Sequence, residues 1–371
     1  MNWGGLSGSG YSGGMRDDEL RNLLRERNPW WRATASGNDP TAWAAGDPTL
    51  RAAEMTGIDY HPGILDDVGP NGGLWVLRGP RRVGKSVAVK RLALRFCRNE
   101  DPWRLVYFAA DTFRPQDLRR AFTLGRDITA EAGSSPRLWL VDEVTSVVGW
   151  EQVVKELRDN TALAGDGVVL TGSSASGLDE AVRSLGAGRT NVADPFRLLL
   201  PMTFREVLIA TGAEVPLPEP VSPDALQGET ASRSALSLVA FTDELDLAWQ
   251  RYLETGGFPR AVGDWSRTGE VSRAFVRDLQ AWLSAEVTWG EPVESAVGLL
   301  VALHHRTTNP LDVTETAVAL HTTRDKLRIR LERLTRSFAA FWCHQSDAEG
   351  HRVSHSQSKL YLIDPLLARL P

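Results

Sequence analysis

The chain has 371 residues, 42% of them hydrophobic and 24% charged, which is more than one ordinary core holds and far from a disordered composition. With 42 basic and 47 acidic side chains the net charge is −5, which excludes a globally basic nucleic-acid coat and leaves any such binding to a local patch. Two cysteines, Cys97 and Cys343, exclude a disulfide framework, and there is neither a secretory leader nor an apolar run near the roughly 20 residues that span a bilayer, so a cytoplasmic location is expected.

In chain order, residues 1–15 are rich in Gly and Ser and read as a flexible tail, followed by a helical stretch, DDELRNLLRERN, and the element Asn28-Pro29-Trp30-Trp31. From residue 74 short apolar runs alternate with helical stretches. The runs LWVLRG, RLVYFAA, RLWLVDE, GVVLTGS and FRLLLPM read as buried strands of a parallel sheet with helices on both faces. Beyond residue 202 the segments are helical, interrupted by a Pro-rich loop at 215–224. The last 80 or so residues read as three helices and two strands (FAAFWCH, KLYLID), the layout of a winged helix. Four regions follow: 1–68, tail plus N-terminal helical segment; 69–202, P-loop core; 203–290, helical lid; 291–371, winged-helix-like module.

The strongest chemical signal is Gly79-Pro80-Arg81-Arg82-Val83-Gly84-Lys85-Ser86, a G-x-x-x-x-G-K-S between a strand and a helix. Such a loop turns backbone N–H groups inward around a polyphosphate, and the following helix points its positive end at the same anion. Lys85 adds a charge on the β- and γ-phosphates and the Ser86 hydroxyl ligates Mg²⁺. The chain has only five lysines, so one in this pattern stands out. A second signal is the strand Leu138–Val141 ending in Asp142 and Glu143, where Asp142 is expected to hold Mg²⁺ and Glu143 to polarise the attacking water. The third is Thr171-Gly172-Ser173-Ser174 at the end of the next strand. Thr171 and Ser173 can each be placed to reach the γ-phosphate or the water, and the sequence does not choose between them.

The order GPRRVGKS, WLVDEVTSVVGWEQVVKELRDN, VVLTGSSASGL, GAGRT, LLLPMTFREVL, YLETGGFPRAV and KLYLIDPLLARL resembles the prokaryotic predicted ATPases of the AAA+ superfamily. These carry a C-terminal domain of unknown function and are similar to archaeal-type P-loop ATPases. The resemblance spans about residues 28–370. It implies a sheet ordered 5-1-4-3-2, a helical lid and a winged-helix-like module. Gly188-Arg189 matches the family's GR element, although the flanking Ser184-Leu185-Gly186-Ala187 departs from its acidic pattern. By that resemblance Arg189 either stabilises charge on the γ-phosphate, in cis or across a subunit boundary, or is a loop arginine. The catalytic set is then Lys85, Glu143, Ser173 and Arg189, with ATP and Mg²⁺ as nucleotide and cofactor. Trp30 and Trp31 read as a clamp near adenine, as a partner dock or, most simply, as packing of the N-terminal helix.

Helix 321–336, HTTRDKLRIRLERLTR, carries Arg324, Lys326, Arg328, Arg330, Arg333 and Arg336 against Asp325 and Glu332. Leu327, Leu331, Leu334 and Phe338 follow the helical period and are expected to face the core, leaving the basic residues outside as a surface for DNA, for a protein or for intramolecular docking. His344, His351, His355 and Cys343 fit no compact zinc spacing. The sequence thus points to an ATP-hydrolysing AAA+ switch that can self-associate with ATP, which closes the lid and winged module onto the core until hydrolysis releases them. The alternative is a non-enzymatic DNA- or protein-binding regulator that uses nucleotide as a structural latch.

Overall fold

Helices α1 (Asp17–Arg27), α2 (Pro29–Ala35) and α3 (Pro48–Glu54) precede the first strand. β1 (Leu74–Arg78) leads to α4 (Lys85–Asn99), β2 (Leu105–Ala109) to α5 (Pro115–Ile128), and β3 (Leu138–Asp142) to α6 (Trp150–Asn160); β4 (Gly167–Thr171) and β5 (Phe196–Leu198) complete the sheet. The computed structural model describes residues 14–130, 133, 135–172, 192–226, 228–347, 349–353 and 357–370. The strands pair in parallel in the order β2-β3-β4-β1-β5, the order implied by the resemblance. Every residue of β3 and β4 is buried, as two-sided helix cover requires. The core on both faces of the sheet runs from Leu20 to Leu199.

β2 lies at one edge of the sheet, where unpaired backbone groups need a partner. The N-terminal segment supplies it. The Asn28 carboxamide accepts from Tyr107 N at 2.6 Å and donates to Tyr107 O at 2.8 Å, as a neighbouring strand would. The indoles of Trp30 and Trp31 both donate to Leu105 O, at 3.1 and 2.9 Å. Both rings are buried, and at ~25 cal/mol per Å² each contributes roughly 4–6 kcal/mol of apolar burial.

The second half is helical: α7 (Phe204–Ala210), α8 (Glu229–Leu238), α9 (Thr242–Thr255), α10 (Pro259–Thr268), α11 (Arg273–Val287), α12 (Val293–His304), α13 (Val313–Ala319) and α14 (Arg324–Arg336). The antiparallel ribbon of β6 (Ala340–His344) and β7 (Ser358–Leu362) follows, then α15 (Pro365–Ala368). A second core runs from Phe258 to Leu370 and holds α11, α12, α14 and the ribbon together. Met202, Ala210 and Val262 form a small cluster beside Ile58 and Tyr60. Among the described residues no helix is long and apolar enough to cross a membrane.

The basic helix departs from expectation in one respect. Leu327, Leu331 and Leu334 are buried as their spacing predicts, but Arg330 is buried with them at 5% exposure. It stands three residues after Leu327, at the margin of the apolar stripe, and Glu291 enters that margin to pair with it and with Lys326. Hydrogen bonding from Lys326, chief among several causes, holds the Glu291 carboxyl below its usual range. Arg333 is likewise turned inward, donating to Glu286 O at 3.2 Å with its guanidinium 3.3 Å from the Trp289 ring centroid. Much of the helix's charge is therefore used within the unit.

Candidate functional site

The loop between β1 and α4 is shaped by glycines that no other residue can replace. Gly79 has φ +148°, and a Cβ there would stand 1.9 Å from Leu199 O. Gly84, at φ +105°, turns the chain into the first turn of α4. Arg82 adopts a left-handed φ of 67° without being glycine, at a cost of about 1 kcal/mol, a strain that concentrates at functional loops. The Lys85 ammonium folds back over the loop and donates to Gly79 O at 2.9 Å and Pro80 O at 2.8 Å. Burial pushes its pKa down to about 8, opposed by the fields of Glu143 and Asp142. Ser86, half-buried, follows in the first turn of α4.

At the end of β3 the two expected carboxylates lie beside β4. Asp142 is buried, and Thr171 Oγ1 donates to its Oδ1 while accepting the Glu143 N–H at 3.0 Å. Thr171 is thus fully buried, with its hydroxyl engaged by both acidic positions, a placement suited to orienting them rather than to touching a nucleotide. Glu143 is left-handed at φ 52°. Ser173 and Arg189, with Gly188, lie outside the described residues. Behind the site the Lys90 ammonium bonds Asp47 at 2.7 Å and sits 4.3 Å from the Tyr107 ring centroid. Burial opposes the charge on Asp47, yet Lys90 and the N–H groups of Leu50 and Thr49 outweigh it and hold the carboxyl below its usual range.

Loop, Lys85, Ser86 and Glu143 open onto a cleft of about 630 Å³. Its far walls come from elements that sequence reasoning did not assign to the site: Ala53 in the last turn of α3 with Thr56 and Tyr60 beyond it, Asp111 after β2, and Pro259 and Arg260 at the start of α10. Asp111 could have been found, because it follows a parallel strand at the carboxyl edge where such sheets bind ligands. Arg260 stands directly after the GGFP element. That element is fixed from two sides. Gly257 O accepts the Met202 N–H at 2.8 Å, and Gly257 N donates to Asp364 Oδ2 at 2.7 Å. A Cβ on Gly256 or Gly257 would strike Asp364 or Met202 O at 1.8–1.9 Å, so both glycines are needed for the close approach.

A parallel sheet with helices on both faces, and a glycine-bounded loop between the interior strand β1 and the helix α4, define a P-loop nucleotide-binding fold. Residues 71–208 match the family model of the AAA domain. Among solved structures the chain is similar to the Walker-type ATPase of Pyrococcus abyssi, with 14% identity over 86% of this chain and 94% of that one, at a TM-score of 0.47. It is also similar to the Aeropyrum pernix ORC1 protein in complex with DNA (14% identity, 86% and 90% covered, TM-score 0.32) and to the ORC2 protein of the same organism in ADPNP–ADP complexes (12%, 86% and 91%, 0.36). None of the curated proteins matches the chain.

Proposed function

We propose that the chain binds and hydrolyses Mg-ATP and uses the cycle to move its C-terminal unit. The observation that carries this reading is the convergence at one end of the sheet of the Lys85-bearing loop after β1 and of Asp142 and Glu143 after β3, with Thr171 of the intervening β4 bonded to both acidic positions. Backbone N–H groups of 79–86 and the Lys85 ammonium bind the phosphates. Ser86 and Asp142 are hard oxygen donors of the kind Mg²⁺ takes beside substrate phosphates, so the residues present fit the ion. When bound, Mg²⁺ neutralises charge on the β- and γ-oxygens. Glu143 accepts the proton of the water that attacks the γ-phosphorus, and Ser173 and Arg189 remain candidates to sense or stabilise that phosphate. The cleft wall of Ala53, Thr56 and Tyr60 is where we place the base.

The regions 203–290 and 291–371 are read as lid and winged-helix module, the moving part of the switch. Its outward cationic face is narrower than the whole basic helix: Arg324, Arg328 and Arg352 line a cleft of about 710 Å³ between α14 and the ribbon. We read this cleft as the seat of an anionic partner, with DNA or an acidic protein surface as the alternatives. ATP-dependent self-association through Arg189 belongs to the same reading.

Phosphate release from ATP, followed in the wild type and two variants, tests the proposal. Lys85→Ala should abolish nucleotide binding, since a charge-assisted phosphate contact is lost. Glu143→Gln should retain ATP and stop turnover, and light scattering of that variant with Mg-ATP reports any self-association. A wild type that binds ATP but turns it over no faster than solution chemistry would favour the structural-latch alternative.

A further inference from the structure

The two arginines of the P-loop do not point into the cleft alone. Arg81 forms an ion pair with Glu286 at 3.1 Å, and Arg82 forms one with Asp278 at 3.0 Å. Both acids lie on α11, eight residues or a little over two turns apart and about 80° apart around its axis. Glu286 is also one of the carboxylates whose field reaches the Lys85 ammonium, after Glu143 and Asp142. Two carboxylates from the C-terminal half are therefore held at the loop that, on the reading above, receives a polyphosphate.

We propose that Glu286 and Asp278 occupy the P-loop arginines in place of nucleotide phosphate, so that ATP binding and docking of α11 on the loop oppose each other. The proposal rests on the P-loop being a nucleotide site. Physically, a triphosphate brings several negative charges next to Glu286 and Asp278 and offers Arg81 and Arg82 a bidentate partner at least as good as a carboxylate. The two pairs are half-exposed and weak, which suits a contact that must exchange.

Movement at α11 does not stay local. Leu279, Leu283 and Val287 share one core with Leu327, Leu331 and Leu334 of α14. The same Glu286 that pairs with Arg81 accepts from Arg333 through its carbonyl, and Phe338, just past α14, lies 5.9 Å from the Arg78 guanidinium at the end of β1. Repulsion at two carboxylates is thus applied to a unit that includes the cationic cleft. The sign is opposite to that read from the sequence, in which ATP closes the C-terminal unit onto the core. By linkage, whatever docks α11 weakens ATP binding by the same factor that ATP weakens docking.

The test is to neutralise the acids and leave the arginines intact. Affinity for a non-hydrolysable ATP analogue with Mg²⁺ should rise roughly threefold for Glu286→Gln or Asp278→Asn and about tenfold for both together. Asp278→Lys should exceed Asp278→Asn, a ranking that a folding defect does not produce, and Glu294→Gln on α12 should change nothing. Amide hydrogen exchange over 273–289 should quicken in the double variant without nucleotide, and in the wild type when the analogue is added. Unchanged or weaker binding by the double variant, beside normal wild-type binding that Lys85→Ala abolishes, overturns the antagonism and spares the nucleotide site. A wild type that binds no nucleotide overturns the reading of the P-loop itself.

Discussion

Lys85 has to be charged to hold a phosphate, yet its burial favours the neutral amine. With a pKa of about 8 the ammonium is already protonated at neutral pH, so binding there has no protonation cost. Above pH 8 each unit of pH demands that a larger share of the protein take up a proton first. Nucleotide affinity should therefore be flat below about pH 7.5 and then fall, approaching tenfold per unit near pH 9. Calorimetry at pH 8.5 in buffers of different ionisation enthalpy should show proton uptake on binding; affinity level to pH 9.5 would mean the lysine keeps an ordinary pKa. Glu143 and Arg82 carry the other cost at this scale. Each holds a left-handed backbone that a non-glycine residue avoids, and neither strain is visible in the sequence, where the same letters fit any loop.

Among the elements, α14 shows where reading a sequence succeeds and where it stops. Its apolar spacing placed Leu327, Leu331 and Leu334 correctly, because a 3.6-residue period is a local property. The burial of Arg330 was not legible, since its partner Glu291 lies 39 residues upstream. The same holds for Asn28, which completes the edge of β2 from 79 residues away. Strands β1 to β4 and the P-loop were legible because their signals are contiguous. The cleft walls of Tyr60 and Arg260 were not, because folding alone brings them to the loop. The corrected geometry changes the test for a polyanionic partner. Reversing Arg330 would bury an unpaired carboxylate beside Glu291 and harm the fold, so Arg324→Glu with Arg328→Glu is the informative variant. If duplex DNA occupies the cationic cleft, this variant should weaken binding to all sequences alike and reduce the slope of log K against log salt by roughly 2. Wild-type binding that is absent at low salt assigns the cleft to a protein surface instead.

For the molecule as a whole, the joint between its two cores passes through Asp364. Burial pushes this carboxyl up to about 7, against the pull of the N–H groups of Gly257 and Leu366. Between its ordinary value near 4 and that figure, the folded chain binds more protons here than the unfolded chain. The stabilisation is complete below about pH 4 and is lost as pH rises to about 7. Thermal midpoints of wild type and Asp364→Asn should show the wild type's relative stability falling across that window and level above it. A difference that grows with pH would mean the two N–H donors keep the carboxylate charged.

The same joint gives the nucleotide cleft an order of assembly. Gly257, which precedes the Pro259 and Arg260 wall, is anchored by a residue 107 positions downstream. On a ribosome adding 5–20 residues per second, the loop waits roughly 5–20 s for its partner to be made. The sheet, the P-loop and the β2 edge can form in that interval from residues already emerged. The roof of the cleft cannot, so a nascent chain at that stage has the glycine-bounded loop without the wall that Pro259 and Arg260 add.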